Sequence, residues 1–275
     1  MIKRISGIII TGLLLFSCEN RKMGMTISGN QESAYYDAVE ENGIKTIHVF
    51  VALCDNKYQN IARVPAALGN GRSPNTNLYW GALYGIRTYF KNSNEWELLA
   101  TIKGNNVILE RIIFRHVQEN YYLIADAYNG RYIKQCIQDF LNSSSGNKKE
   151  ALQFGGITLG TGGSASTLVY IGHDGLMDFQ LSETFVNTDN KKRDVIILAC
   201  YSKCYFSPHL QEANVNPLLW TSNLMAPEAY TLYDALTGYI NGETNEDIRE
   251  RAAAAYANYQ KCSVNAAKGL LVTDW

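Results

Sequence analysis

Two short apolar segments, each followed by a reactive side chain, constrain the fold most. Residues 167–171 read T-L-V-Y-I, and residues 195–199 read V-I-I-L-A. Such runs are typical of strands that are buried on both faces of a parallel sheet. His173 follows the first run and Cys200 follows the second. Because the carboxyl ends of parallel strands form the binding crevice of an open α/β sheet, the imidazole and the thiol are predicted to meet there if the two strands are neighbours.

An imidazole beside a thiol is the arrangement that a cysteine nucleophile needs. A nearby base can take the proton of the thiol, and the rigid edge of a sheet holds the two groups in place. Cys200 is therefore the candidate nucleophile and His173 the candidate base, and together they form the predicted catalytic dyad.

The other apolar patterns predict alternating strands and helices. Strands are predicted at 46–53, 96–102, 108–117, 121–127 and 216–222, and helices at 78–91, 130–141, 228–240 and 245–262, with one more helix after Phe206. Thr244, with Asp247 three residues on, is a capping pattern that opens the last helix. This order indicates one α/β domain over residues 45–275, with a mostly parallel sheet flanked by helices.

The first residues have the pattern of a targeting segment. A positively charged start is followed by the apolar run 8–16, which predicts a signal peptide over residues 1–17. The sequence Leu15-Phe16-Ser17-Cys18 resembles a bacterial lipobox, which would make Cys18 the lipidated residue and 18–44 a lipidated tether. Simple secretion is the alternative. The predicted location is the bacterial cell envelope, either periplasmic or surface-exposed, with membrane contact through the lipid only.

Charge and motif spacing exclude several classes of function. The net charge of −1 shows no basic excess, so nucleic acid is not expected as a partner. Cys200, Cys204 and His209 lack a second ligand pair at zinc-site spacing, so no metal is expected. The glycine-rich run 155–163 lacks the Gly-Lys-Ser/Thr ending of a phosphate-binding loop and is predicted to be a flexible connector beside the crevice. No cofactor is expected.

Several polar residues near the predicted strand ends are candidates for a pocket. They are Asp55 and Asn56 after the first strand, Asp174 and Asp178 after His173, and Ser202 after Cys200. Asp55 and Asn56 either shape the pocket or form an Asx turn. The other three are candidates for orienting the dyad or binding substrate. The segment Met225-Ala226-Pro227-Glu228 follows another predicted strand and either walls the pocket or starts a helix at Pro227.

The remaining histidines and cysteines have simpler interpretations. His48 lies inside a predicted strand and is expected to be packed, not to act as a ligand. His116 is flanked by charge and is expected to be solvated. Five cysteines follow Cys18, so at least one thiol is expected to be unpaired in an oxidising compartment.

The segments G-H-D-G at 172–175 and A-C-Y-S at 199–202 resemble those of the caspase-like clan of cysteine peptidases, which includes legumains, gingipains and clostripain. The resemblance extends in strand order over residues 45–226. It implies a caspase-like three-layer sandwich, with Cys200 as nucleophile, His173 as base, and the backbone amides of Gly175 and Cys200 as oxyanion donors. The clan usually has glycine directly after histidine, whereas Asp174 stands there in this chain.

The function expected from these residues is hydrolysis of peptide bonds in a peptide or protein substrate, through a thioester with Cys200. Two alternatives use the same crevice. One is a non-catalytic lipoprotein of the cell envelope that binds a peptide or a glycan. The other is an amidase or transpeptidase that uses the same dyad.

Overall fold

The computed structural model describes residues 43–275. The predicted signal peptide, the predicted lipidation site Cys18 and almost all of the predicted tether therefore lie outside the described residues. Within residues 43–275, no helix is long and apolar enough to cross a membrane.

An eight-stranded sheet forms the centre of the fold, and a separate two-stranded hairpin accompanies it. The ten strands are β1 (Lys45–Ala52), β2 (Trp96–Lys103), β3 (Ile108–His116), β4 (Tyr121–Tyr128), β5 (Lys149–Phe154), β6 (Ile157–Gly162), β7 (Thr167–Ile171), β8 (Asp194–Leu198), β9 (Asn216–Thr221) and β10 (Leu271–Val272). The order in the large sheet is β10-β9-β8-β7-β1-β4-β3-β2, and β5 pairs with β6.

The five central strands of the large sheet are parallel. β4, β1, β7, β8 and β9 run in one direction, while β2, β3 and β10 join the sheet at its two edges through antiparallel pairs. All five residues of β7 are buried, and so are the last four of β8, as their continuous apolar runs predict. β7 and β8 are paired, so the condition on which the predicted meeting of His173 and Cys200 depends is met.

Within residues 43–275, six helices cover this sheet. They are α1 (Ile86–Lys91), α2 (Ile133–Ser144), α3 (Ser202–Ala213), α4 (Ala229–Ile240), α5 (Asn245–Gln260) and α6 (Val264–Leu270), and two 3₁₀ turns lie at Gly130–Tyr132 and Gly175–Met177. The hydroxyl of Thr244 accepts the Asp247 N–H at the start of α5, as the capping pattern predicts. α6 and the short strand β10 were not predicted.

Alternating side chains of the strands build two separate apolar layers. On one face, Val49 and Val169 belong to a core with buried residues of α1, α4 and α5. On the other face, Phe50 and Tyr170 belong to a second core with buried residues of α2 and α3. The fold is thus α/β, with a mostly parallel central sheet between two helical layers, as the sequence predicts.

The segment after α2 differs from the sequence prediction. The glycine-rich run 155–163 was predicted to be a flexible connector beside the crevice, but most of it belongs to a regular hairpin of β5 and β6. The Gly162 N–H at the end of β6 donates to Nδ1 of His48 at 2.9 Å. Pairing with Lys149 and this bond to a buried ring hold the glycine-rich segment in order. Gly163 then bonds to Lys148 and Arg193, away from the strand ends that carry His173 and Cys200.

The predicted helix at 78–91 is also shorter than expected. Residues 78–85 form turns, and only α1 is helical. A Cβ at Gly81 would lie 2.2 Å from the Asn75 carbonyl oxygen, and one at Gly85 would lie 2.4 Å from the Trp80 carbonyl carbon. These contacts require glycine because the chain folds tightly back on itself there.

Pairing in the sheet buries both histidines that were considered outside the dyad. His48 is buried, as predicted, and bonds to Asp126. The prediction that His116 is solvated was wrong, because it pairs with Trp96 across β2 and β3 and only 8% of its surface is exposed. Its ring meets Trp96 edge to face at 5.0 Å, and its Nδ1 accepts the Glu119 N–H. Charged neighbours in sequence do not reveal such cross-strand burial.

Candidate functional site

His173 and Cys200 line one cavity of about 300 Å³ at the carboxyl edge of the central sheet. β7 and β8 are paired up to Ile171 and Leu198, and Gly172 extends the pairing with a bond to the Leu198 carbonyl. Continued by two residues, the same register sets His173 opposite Cys200. The structure therefore brings together the two side chains that the sequence singled out.

A tight turn between β8 and α3 presents Cys200. Tyr201, the next residue, has a φ of 50°, in the left-handed region that residues other than glycine rarely adopt. Such strain persists only where surrounding contacts hold it. The Tyr201 N–H donates to the Asn223 carbonyl at 2.9 Å, which ties the turn to the segment after β9.

Ser202 stabilises this turn from the protein interior and does not line the cavity. Its hydroxyl is fully buried, donates to the Ile197 carbonyl at 3.0 Å and lies 3.1 Å from the Thr221 hydroxyl. Thr221 in turn bonds to the Ala199 carbonyl. Ser202 was predicted as a pocket residue, but its hydrogen-bonding capacity is used inside the protein. Its effect on Cys200 acts through the backbone of the turn.

The thiol of Cys200 lies against the backbone of Met225. Sγ is 3.4 Å from the Met225 nitrogen, which donates to it, and 3.6 Å from the Met225 carbonyl oxygen. Burial raises the pKa of the Cys200 thiol, the Met225 N–H lowers it in part, and the negative charge of Asp174 raises it further. The resting group is therefore the neutral thiol at neutral pH, and it requires a base to become a nucleophile.

Asp178 orients the ring of His173. Its Oδ2 lies 2.7 Å from His173 Nε2 and also accepts the Asn60 N–H at 3.2 Å. Because a carboxylate accepts hydrogen bonds, this contact places a proton on Nε2 and leaves Nδ1 as the ring nitrogen for exchange with the thiol or substrate. The Tyr170 hydroxyl also donates to the His173 carbonyl at 2.7 Å, which fixes the backbone of the turn. Asp178 was among the predicted orienting residues.

Asp174 and Gly175 lie behind the cavity wall. Asp174 is fully buried and its Oδ1 accepts the Leu176 N–H, while its Oδ2 has no hydrogen-bond partner among the described residues. Burial raises the pKa of Asp174 to about 7, so its carboxyl is partly protonated at neutral pH. A Cβ at Gly175 would lie 2.8 Å from the Phe179 ring, so a larger residue there would displace this turn.

No protein-family model, curated protein or solved structure matches this chain.

Asp55 and Asn56 act on the loop that follows β1. Asp55 is buried, and its Oδ1 accepts the N–H groups of Lys57 and Tyr58, which is an Asx-type turn. The Asn56 side chain bonds to both the N–H and the carbonyl of Val64. Neither side chain lines the cavity, but Asn56 holds the loop that does. The Asx-turn interpretation thus describes Asp55, and neither residue is part of the cavity wall.

Three loops and one tyrosine complete the cavity. The lining residues besides the dyad are Asn60, Ile61, Ala62 and Val64 from the loop after β1, Tyr79, Gly172 and Met177 after β7, and Leu224, Met225 and Pro227 after β9. Met225 and Pro227 were predicted as a possible wall. Tyr79 was not, because residues 78–91 were taken as one helix. No local pattern in the sequence marks its role.

The remaining thiols and metal-ligand residues form no second site. All five cysteines within residues 43–275 are unpaired, and Cys204 and Cys262 are exposed. In the same part of the chain, no group of three or more His, Cys, Asp or Glu residues is arranged to hold a metal ion. His209 lies instead edge to face with Phe185, with ring centroids 5.6 Å apart.

Proposed function

We propose that this chain is a cysteine peptidase of the caspase-like clan that hydrolyses peptide bonds through an acyl-enzyme on Cys200. One observation carries the proposal: the His173 and Cys200 side chains line the same cavity at the ends of adjacent parallel strands. Asp178, bonded to His173, adds the third group of a nucleophile, base and orienting acid arrangement.

The first chemical step transfers a proton and forms a carbon–sulfur bond. Nδ1 of His173 accepts the proton of the Cys200 thiol as sulfur attacks the carbonyl carbon of the substrate. The raised pKa of the thiol favours this concerted use of the base over a stored thiolate. Asp178 stabilises the imidazolium that results, because its carboxylate already accepts from Nε2.

The second half of the cycle returns the proton and releases both products. His173 donates its proton to the nitrogen of the leaving amine as the carbon–nitrogen bond breaks, which leaves a thioester on Cys200. A water molecule then attacks the thioester, with His173 accepting one of its protons. The carbon–sulfur bond breaks, sulfur regains a proton, and the acid product leaves.

The backbone at the start of α3 is suited to stabilise the oxyanion. Cys200 lies two residues before this 12-residue helix, so its amide lies near the positive end of the helix dipole. Gly175, the second donor that the resemblance implies, does not line the cavity, so the Cys200 amide is the donor that we propose. The proposed reaction thus uses groups of the protein and water and needs no cofactor.

We also propose that the domain acts in the bacterial cell envelope, anchored by a lipid on Cys18. The support is the apolar run 8–16 followed by Leu15-Phe16-Ser17-Cys18 in the sequence. Peptides or proteins outside the cytoplasm would then be the substrates, and the lipid would be the only membrane contact.

Cleavage of a peptide library in water enriched with ¹⁸O tests the proposed reaction. We expect new carboxyl termini that each contain an ¹⁸O atom from solvent, because water resolves the thioester. Products joined to an added amine instead of water would identify a transpeptidase. Peptides that bind without being cleaved would identify a binding protein and contradict the proposal. Mass spectrometry of the products distinguishes all three outcomes.

A further inference from the structure

The cavity beside Cys200 is mostly apolar. None of the described residues that line it is Lys, Arg, Asp or Glu. Apart from Asn60 and the dyad, the side chains that form its walls are apolar or aromatic: Ile61, Ala62, Val64, Tyr79, Leu224 and Met225 are examples. A substrate side chain that enters this space leaves water and meets mainly hydrocarbon and sulfur.

The three carboxylates on the segments that frame the cavity do not line it. Asp178 accepts from His173 and from the Asn60 N–H. Asp174 is fully buried behind the turn that carries His173. Glu228, next to Pro227, accepts hydrogen bonds from Tyr230 and Gln260. A guanidinium or ammonium group in the cavity therefore meets no carboxylate among the lining residues, and a carboxylate meets no Lys or Arg there.

Tyr79 lines the cavity, and only 7% of its surface is exposed. Burial raises the pKa of its hydroxyl well above the ordinary value, and the nearby Cys54 thiol raises it further. The hydroxyl is therefore neutral at neutral pH, and Tyr79 adds no charge to the cavity.

We propose that the cavity accepts an uncharged, apolar side chain on the residue whose carbonyl is attacked by Cys200. The inference rests on the proposed peptidase function and names its substrate class. A buried charge without a partner is strongly disfavoured, whereas an apolar side chain gains from leaving water. The volume of about 300 Å³ suits one side chain and not a longer folded segment.

A library of peptides that differ only at this residue tests the inference with the full chain. We expect kcat/KM for Leu, Met or Phe to exceed that for Arg, Lys, Asp or Glu by about 100-fold or more. Preferred cleavage after a charged residue, dependent on Cys200, would overturn the specificity and leave the peptidase function standing. Absence of any cleavage would overturn both.

A charge placed in the wall provides the second readout. Leu224→Asp puts a carboxylate in the cavity at a position with 62% exposure, and Leu83→Asp makes the same change at 64% exposure on another surface. We expect Leu224→Asp to raise the ratio of kcat/KM for Arg over Leu by about tenfold or more, and Leu83→Asp to leave the ratio unchanged. An unchanged ratio in Leu224→Asp would contradict the assignment of this cavity.

Discussion

Replacing Cys200 with alanine is expected to lower kcat/KM for peptide hydrolysis by about 10⁴-fold. The variant keeps the cavity, His173 and Asp178, so substrate binding is preserved. It loses the only atom that the proposed mechanism uses to form a covalent bond. The expected residual rate reflects binding and the oxyanion donors alone.

Cys204→Ala is the matched control for this change. Cys204 lies four residues further along, is exposed and is not among the residues that line the cavity. We expect its kcat/KM to stay within about twofold of the unmodified chain, because surface substitutions away from the site have small effects. Retention of more than a tenth of the activity by Cys200→Ala would contradict the role of this thiol.

Asp126→Ala is expected to lower the free energy of unfolding by about 3–5 kcal/mol. Asp126 is buried on β4 and accepts two bonds of 2.6 Å from Arg111 and one of 3.0 Å from His48. The Gly162 N–H donates to His48 Nδ1, so Nε2 carries the proton that His48 donates. Removing the carboxylate leaves a guanidinium and an imidazole N–H without their partner.

Glu97→Ala is the control for an exposed ion pair in the same sheet. Glu97 pairs with Arg115 on neighbouring strands, and both side chains are about half exposed. Such pairs contribute about 0–1 kcal/mol because water screens them. Chemical denaturation of both variants measures the difference. Equal destabilisation by the two substitutions would contradict the structural role of the buried cluster.

The pH dependence of the Asp126 variant has a defined sign. Burial alone would raise the pKa of Asp126, but the bonds from Arg111 and His48 lower it from 3.8 to about 2. A lowered pKa adds stability that is present above pH 3.8 and is lost as the pH falls toward 2, by about 2 kcal/mol. The difference in free energy of unfolding between the unmodified chain and Asp126→Ala should therefore become smaller as the pH falls from 3.8 toward 2.

The sequence predicts the central strands well because burial on both faces leaves continuous apolar runs. The runs that form β7 and β8 are examples. The pairing of these two strands follows the rule that consecutive strands of an α/β sheet usually lie side by side. Elements whose stability depends on distant partners were predicted less well. His116 is buried only because Trp96 lies across from it, and the glycine-rich hairpin is ordered through His48.

The reactive residues of the candidate site could be predicted from the sequence, but the way in which its cavity is lined could not. His173 and Cys200 follow directly from the strand ends, and Asp178 lies five residues beyond His173 in the same turn. Tyr79 comes from a loop whose conformation depends on close glycine packing. Ser202 lies two residues after the proposed nucleophile, yet its hydroxyl turns inward to Thr221. Sequence proximity does not give side-chain direction in an irregular turn.

Detection of the acyl-enzyme tests the central claim most directly. The full chain is mixed with a peptide ester that carries an apolar residue at the acyl position, quenched in acid within milliseconds to seconds and analysed by mass spectrometry. The account predicts a mass increase equal to the acyl group, located on the fragment that contains Cys200 and absent from Cys200→Ala. Turnover of the ester without an adduct on Cys200, or with the adduct on another residue, would contradict it.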